Sequence, residues 1–372
     1  MHVKELELVH YRNLPYLKLD NFADLHLFIG ENAQGKTNIL ESLYLLALGK
    51  SHRTRSHKEL IQWEQPFAKI SSRIVQQDYI QRLEVQFNAK GKKVIKNGIE
   101  QKRMSDYIGT LTAVMFAPED LAIVKGSPQV RRRFLDMELG QISPSYVYDL
   151  TQYNKVIIQR NSLLKELAFK GKTETTLLDV LDQQMAELAV RLWKKRYLFV
   201  DKLASWAEEI HYLITQGKEQ LEIVYQPSFL LKAEEPSSWY DKVMAELNRV
   251  RAHEVRKGST SFGPHRDDLC LFSNGTNLHH YGSQGQQRTA ALSLKLAELE
   301  LIHEQTGSYP ILLLDDVLSE LDDLRRTHLL EAIRGKVQTF VTSTSTEGID
   351  RETLAHAQIY QVVQGKVSLF SS

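Results

Sequence analysis

Gly30-Glu31-Asn32-Ala33-Gln34-Gly35-Lys36-Thr37 follows an apolar pentapeptide, Leu25-His26-Leu27-Phe28-Ile29, and runs into a helix-patterned stretch from Asn38 to Leu48. The octapeptide fits G-x-x-x-x-G-K-[ST] in the strand-loop-helix setting this loop requires. Gly30 and Gly35 let the backbone wrap tightly, so that successive N–H groups point at an anion, and the helix starting near Lys36 adds the positive end of its dipole. The spacing therefore assigns Gly30, Glu31, Asn32, Ala33, Gln34, Gly35, Lys36, Thr37 and Asn38 to a nucleotide-binding loop. Lys36 is the candidate for the β- and γ-phosphates, and the Thr37 hydroxyl is a candidate ligand for Mg²⁺, a hard cation that takes oxygen donors. A second G-K-S, Gly49-Lys50-Ser51, has Tyr44 in mid-helix where the first glycine belongs, and reads as a helix end.

Far downstream, Ile311-Leu312-Leu313-Leu314 ends in Asp315-Asp316. A short, wholly apolar run is the pattern of a buried parallel strand that delivers its acids to the carboxyl edge of a sheet. Asp315 is the second Mg²⁺ candidate, direct or through water, and Asp316 the candidate catalytic residue that orients or deprotonates an attacking water. The long separation of Lys36 from Asp315 requires a large insertion between them. Within it, Tyr281-Gly282-Ser283-Gln284-Gly285-Gln286-Gln287-Arg288 opens a helical run from Thr289 to Ile302. Serine and glycine at a helix start make a second anion site from free N–H groups and the dipole.

Composition bounds the rest. The chain of 372 residues is 42% hydrophobic and 25% charged, with 47 Lys and Arg against 46 Asp and Glu, so nucleic-acid binding must use a local patch. Cys270 is the single cysteine, which excludes an intrachain disulfide and points to a reducing compartment. Charges at Lys4, Glu5 and Glu7 interrupt any signal peptide, and no segment reaches membrane-spanning length, so a cytoplasmic protein is expected. Strand alternation through Val3, Leu6 and Leu8, a turn at Tyr11 to Pro15 and a return through Leu19 predict a hairpin. From about Ser145 to Gly217 glycine and proline nearly vanish, and Leu177, Val180, Leu181, Met185, Leu188 and Leu192 recur at helical spacing. A strand at Leu221 to Tyr225 and a helix at Ser238 to Lys257 follow. The predicted division is a head from residues 1–140 and 250–372, with a mostly helical insertion at 141–249.

Together these blocks resemble the ABC/SMC group of ATPases. Ser283, Gln284, Gly285 and Gln286 resemble the signature turn, although Gln284 stands where transporters carry glycine, and Leu318-Ser319-Glu320-Leu321-Asp322 resembles the D-loop, with Ser319 and Asp322 its polar positions. The resemblance implies an α/β P-loop NTPase of ABC-ATPase/SMC-head type with an inserted, mostly helical second domain. It also implies ATP sandwiched between the loop of one protomer and the signature of its partner, in an ATP-dependent homodimer. The strand Thr339-Phe340-Val341-Thr342-Ser343 ends at Thr344, where many such ATPases place a γ-phosphate-sensing histidine, so slow hydrolysis is expected.

Further blocks narrow the resemblance to the RecF family: Tyr11-Arg12-Asn13, Gly49-Lys50-Ser51-His52-Arg53, Ala117-Pro118-Glu119-Asp120-Leu121, Arg131-Arg132-Arg133-Phe134, Gln159-Arg160-Asn161 and Gly263-Pro264-His265-Arg266-Asp267-Asp268. Membership would imply ATP-dependent binding to gapped DNA or single-strand/double-strand junctions, and action with RecR and RecO in loading RecA during recombinational repair. Candidate DNA contacts are Arg53, Arg55 and Lys58 in the cluster after the first helix, and Arg131 and Arg132 in the triple-arginine run. Basic runs are usually solvated faces or structural ion-pair partners. Arg12 is a candidate for the nucleotide edge, and Arg266 with Asp267 a candidate ion pair. The competing readings are another SMC-like repair ATPase, a transporter ATPase subunit, for which DNA would not stimulate turnover, and a small-molecule P-loop kinase, for which a signature has no role.

Overall fold

The computed structural model describes residues 1–20, 22–54, 56–76, 79–171, 176–229, 238–318, 325, 326, 329, 333, 335–346, 354 and 356–370. The predicted hairpin pairs β1 (His2–Tyr11) with β2 (Leu14–Asp20), and β3 (Leu25–Ile29) leads through the glycine loop into α1 (Lys36–Leu48). Strands β4 (Phe67–Gln76), β5 (Tyr79–Asn88), β6 (Gly91–Lys96) and β7 (Ile99–Glu100) extend the hairpin into an antiparallel sheet of order β2-β1-β4-β5-β6-β7. After β8 (Ala113–Phe116) come α2 (Leu121–Lys125), α3 (Pro128–Ile142), α4 (Pro144–Lys170) and the long α5 (Thr176–Ile214). Next are β9 (Leu221–Gln226), α6 (Trp239–Lys257), β10 (Asp268–Ser273), β11 (Thr276–Asn277), α7 (Leu278–Tyr281) and α8 (Gln284–Thr306). The chain closes with β12 (Ile311–Asp315), β13 (Thr339–Ser343), β14 (Ala357–Val363) and β15 (Lys366–Leu369).

The second sheet has the order β15-β14-β3-β13-β12-β8, parallel throughout except for the edge strand β15. Its central strands are covered on both faces, which is why β12 reads as an uninterrupted apolar run rather than an alternation. Side chains alternate across it. Ile311 and Leu313 join Ala113 and Phe340 beneath α1, whereas Leu312 and Leu314 join Val114 and Val341 beneath Leu292, Leu296 and Leu299 of α8.

Helix α1 lies between the two sheets. Its Ile39, Leu40, Leu43 and Leu46 are fully buried, and the same cluster holds Leu6, Ile70 and Leu83 of the antiparallel sheet. A helix enclosed on all sides needs apolar residues all round, and α1 is buried from Ile39 to Leu48 without a polar stripe. Each leucine so covered contributes roughly 1.5–3 kcal/mol. Gly49 ends the helix in the left-handed region at φ 64°, its N–H closing on the Leu45 carbonyl at 2.7 Å, so the second G-K-S is the helix terminus the spacing predicts.

Helices α4 and α5 form the expected helical segment, but its core is wider than residues 141–249. Met185, Leu192 and Trp193 pack with Ile123 and Phe134 on one side and with Phe262, Leu269, Leu271 and Leu294 on the other. Strand β10 pairs antiparallel with β9, Cys270 opposite Val224, so the small sheet β11-β10-β9 belongs to this core. The reappearance of glycine and proline that marks the sequence boundary locates loops; it does not locate where apolar faces meet. Inside, Arg160 is wholly buried, its guanidinium 2.7 Å from both Asp182 and Glu254, tying α4, α5 and α6 together. No helix among the described residues is long and apolar enough to cross a membrane.

Candidate nucleotide-binding site

The loop between β3 and α1 turns through Ala33 at φ 64° and Gly35 at φ 114°. Only glycine takes the second of these comfortably, and a Cβ there would come within 2.9 Å of the Asn13 side chain. That approach is structural, because Asn13 braces the loop: its Nδ2 donates to the Gln34 carbonyl at 3.1 Å and its Oδ1 accepts from Asn38 at 2.8 Å. The β14–β15 turn braces the other side, with the N–H of Gly365 on the Gln34 carbonyl at 2.9 Å and the N–H of Gln364 on the Gln34 side chain at 2.6 Å. Within the loop, the Lys36 ammonium donates to the Gly30 carbonyl and, at 3.0 Å, to that of Glu31. Burial draws its pKa down, opposed by the nearby Asp316 and Asp315 carboxylates.

At the carboxyl edge of the sheet, Thr37 donates to Asp315 Oδ1 at 2.9 Å and Thr342 to the same oxygen at 2.7 Å. Burial pushes the Asp315 carboxyl up from its ordinary value, partly offset by the two hydroxyls. Asp316 bends away at φ 56°, its N–H donating to the Thr342 hydroxyl at 2.9 Å. Lys36, Thr37, Asp315 and Asp316 therefore converge on one place. Asn13, Thr342 and Gln364 belong to the site as well. None carries a local signal: Gln364 lies in a turn brought to the loop by the pairing of β14 with β3, Asn13 in a turn of the other sheet packed against the loop, and Thr342 faces Asp315 because β12 and β13 put Asp315 beside Thr342 in register.

Under the loop, Glu41 has a side chain with no exposed surface and receives Arg12 through two contacts, 3.0 and 2.7 Å, and Ser51 at 2.5 Å. Arg12, a candidate for the nucleotide edge, is thus committed to Glu41. Bidentate Arg–carboxylate pairing of this kind is strong as well as directional. Burial alone would raise the Glu41 carboxyl, but the Arg12 and Ser51 hydrogen bonds outweigh it and hold the pKa low. His52, which burial holds below its ordinary value, sits edge-on to Tyr44 with ring centroids 5.4 Å apart.

The signature residues open α8. Ser283 is its N-cap, accepting from the N–H of Gln286 at 3.2 Å while the Gln286 side chain accepts from the N–H of Ser283 at 3.0 Å, a reciprocal capping box. Ser283 and Gln284 are exposed, and Gln286 also reaches Glu219 at 3.3 Å, linking the signature to the loop after α5. Because α8 packs on the sheet face opposite α1, the signature stands on a different side of the head from its own glycine loop.

The basic candidates divide. Arg53 is exposed, touching Asn38 at 2.9 Å, and Lys58 is exposed. Arg131 is buried and bidentate to Asp268 at 2.7 and 2.9 Å, so as a DNA contact it is corrected: it anchors α3 to β10. Arg132 donates to the Asp267 carbonyl at 2.6 Å. Asp267 does not pair with Arg266. Its carboxylate accepts from Arg196 and Trp193, each at 2.9 Å, from the N–H of Ser228 at 2.8 Å and from the Tyr225 hydroxyl, while Arg266 donates to the Thr260 carbonyl at 3.2 Å. Arg55 and the D-loop positions Ser319 and Asp322 lie outside the described residues.

Comparison with known proteins assigns a family. The RecF/RecN/SMC N terminal domain family matches residues 2–368. The DNA replication and repair protein RecF of Oceanobacillus iheyensis is 52% identical over 372 residues, covering 99% of this chain and 100% of that protein. RecF of Halalkalibacterium halodurans is 53% identical, with 99% of each chain covered. The recombination mediator RecF bound to ATP, of the RecFOR pathway, superposes with a TM-score of 0.92 at 35% identity over 100% of this chain and 98% of that one. An Smc head bound to the C-terminal winged-helix domain of ScpA superposes at 0.56 and 15% identity over 100% of this chain and 98% of that one, a likeness of fold. The glycine loop, the β12 carboxylates and the capped signature helix are thus set in a P-loop NTPase head of ABC/SMC type, and the chain belongs to the RecF family.

Proposed function

We propose that the chain is an ATP-dependent DNA-binding protein of recombinational repair and replication restart, whose ATP-driven dimer holds DNA. The observation that carries this is the convergence of Lys36, Thr37, Asp315 and Asp316 at the mouth of a glycine loop. Lys36, which now satisfies itself on two loop carbonyls, is the group to exchange those contacts for the β- and γ-phosphates of ATP. Thr37 and Asp315 offer only oxygen donors, one a buried carboxylate, and that set suits Mg²⁺. A bound Mg²⁺ neutralises charge on the phosphates. Asp316 orients or deprotonates the attacking water.

Ser283, Gln284, Gly285 and Gln286 serve the ATP of a second protomer. ATP then joins two subunits, and slow, DNA-stimulated hydrolysis releases them. Arg53, Arg55, Lys58 and Arg132 supply phosphate contacts on gapped or junction duplex, giving salt-sensitive affinity. The chain acts with RecR and RecO to promote RecA loading; the likeness to a recombination mediator of the RecFOR pathway supports the partnership with RecR and RecO.

The test is Asp316→Asn. ATP should bind normally, hydrolysis should fall at least 10²-fold, in the range of losing a catalytic proton-transfer group, and the dimer should persist. Rapid ATP loss from that variant removes Asp316 from the mechanism. Phosphoryl transfer from ATP to an acceptor other than water overturns the reading altogether.

A further inference from the structure

Between the end of α1 and helices α3 and α4 lies a cavity of about 750 Å³, separate in its lining residues from the glycine loop and the β12 carboxylates. Its lining carries Lys50, Lys92, Arg132 and Arg133, and among the described residues no carboxylate lies within salt-bridge distance of any of the four. Their hydrogen bonds go to backbone carbonyls instead: Lys92 to Gly49, Arg132 to Asp267 at 2.6 Å and Arg133 to Ser51 at 3.1 Å. Asp136 is the lining carboxylate, and it is occupied by the Arg196 guanidinium at 2.7 Å and the Tyr146 hydroxyl at 2.5 Å. Arg196 in turn is matched by Asp136 and Asp267.

Cations without a direct salt-bridge partner, crowded into a partly desolvated space, cost free energy, since each is removed from water and repelled by the others, although Arg132 feels the more distant Asp268, Asp267 and Asp136. Lys92 registers that cost: burial, and then the neighbouring Lys50, bring its ammonium down to about 8. The histidines on the wall add no acid. Burial, and then Lys92, keep His57 low, while burial, and then Arg266, hold His265 at about 4. An entering anion would relieve this repulsion. Beside these cations the lining also carries an apolar group, Leu48, Met104, Ile108, Met137 and Leu150. Thioether and branched aliphatic side chains there suit the flat face of an aromatic ring, and the volume falls in the range of small-ligand pockets.

We infer that this cavity is a second phosphate-recognising site, taking a nucleotide unit with its phosphate on Lys50, Lys92, Arg132 and Arg133 and its base on the apolar wall. The unit is a free mono- or dinucleotide or the terminal nucleotide of a DNA strand; in the second case the site rests on the DNA-binding function proposed above. The base wall favours either over a bare phosphate ion, and the cations favour both over an uncharged aromatic.

The experiment measures binding of a fluorescent 5′-phosphorylated thymidine dinucleotide, with no nucleoside triphosphate present, to the full chain and to Lys92→Met and Lys50→Ala. Lys50 is exposed at the cavity, so its removal keeps the test valid if Lys92→Met fails to fold. ATP binding by each variant serves as the control on the glycine loop. The inference expects saturable binding, weakened about tenfold by either variant, as for loss of one charge-assisted contact, with ATP affinity unchanged. Competition by a linear oligothymidylate but not by its covalently closed circle assigns the strand end, and competition by neither assigns the free nucleotide. No binding of the dinucleotide, or equal binding by the original chain and both variants, overturns the inference. If ATP-dependent capture of gapped duplex survives that failure, only the cavity assignment falls; if it too is absent, the proposed function falls.

Discussion

Thr37 and Asp315 meet at 2.9 Å across 278 residues of sequence, the hydroxyl of the glycine loop donating to the first carboxylate after β12. A second hydroxyl, Thr342, holds the same oxygen from the adjacent strand. The pair closes the loop onto the sheet edge before any nucleotide is bound, and it sets a carboxylate where burial disfavours its charge.

Replacing Asp315 with Asn should uncouple stability from function. The folded chain holds this carboxyl above its ordinary pKa, so the fold favours its protonated form, and the charge weakens the fold as pH rises through the folded value. Thermal melting at pH 7 should therefore show Asp315→Asn equal to or a few degrees above the original chain, while Mg²⁺-dependent ATP binding falls at least tenfold. A clear drop in melting temperature contradicts the reading of a carboxylate held at a cost to stability.

Glu41 gives the opposite pH dependence. Its carboxyl is held low by Arg12 and Ser51 against burial, so its contribution is present above the ordinary value of 4.5 and is lost as pH falls through the lower folded value. Urea unfolding across pH 3 to 7 should show that loss in the original chain. Arg12→Ala leaves Glu41 buried without its main partner and should cost about 3–5 kcal/mol at pH 7. The penalty should shrink at acid pH, where Glu41 can take up a proton. A pH-independent penalty would mean that Arg12 acts only through packing.

Arg131 and Arg53 should separate in a single comparison. Arg131→Ala breaks a buried bidentate pair with Asp268 and should destabilise the chain by about 3 kcal/mol or more. Arg53→Ala should leave stability within about 0.5 kcal/mol, as for exposed positions generally. In the DNA assay Arg53→Ala should weaken binding and lower the salt slope by about one. An unchanged salt slope removes Arg53 from the interface.

Asp267→Asn probes the network beneath the helical core. Its carboxylate receives Arg196, Trp193, Tyr225 and the N–H of Ser228, and Arg196 is almost wholly buried. Loss of the charge should cost about 3–5 kcal/mol in urea unfolding, with ATP affinity unchanged if the network is structural.

What could be read from the sequence follows the range of the interactions concerned. The glycine loop is one contiguous octapeptide between a strand and a helix, and the β12 carboxylates end one apolar run, so the places of both in the fold were legible. Element positions were legible for the same reason: the hairpin, the strand at Leu221 and the helix from Ser238 each carry a local period. The partners of charged residues were not. Nothing near Arg131 announces Asp268, and the adjacent Arg266 offered Asp267 a closer partner than Arg196, whose position depends on how α5 packs on the loop before β10. Thr342 reaches the site through strand pairing and Asn13 through the packing of the β1–β2 turn against the loop, neither of which any local spacing records.

The most direct test of the central claim is binding of a fluorescent gapped duplex at physiological salt with ATP, ADP or no nucleotide, with mass measured in parallel and Lys36→Arg as control. The account predicts a dimer on DNA with ATP alone, abolished or much weakened by Lys36→Arg. A chain that stays monomeric with ATP, or binds the gapped duplex equally well without nucleotide, contradicts it.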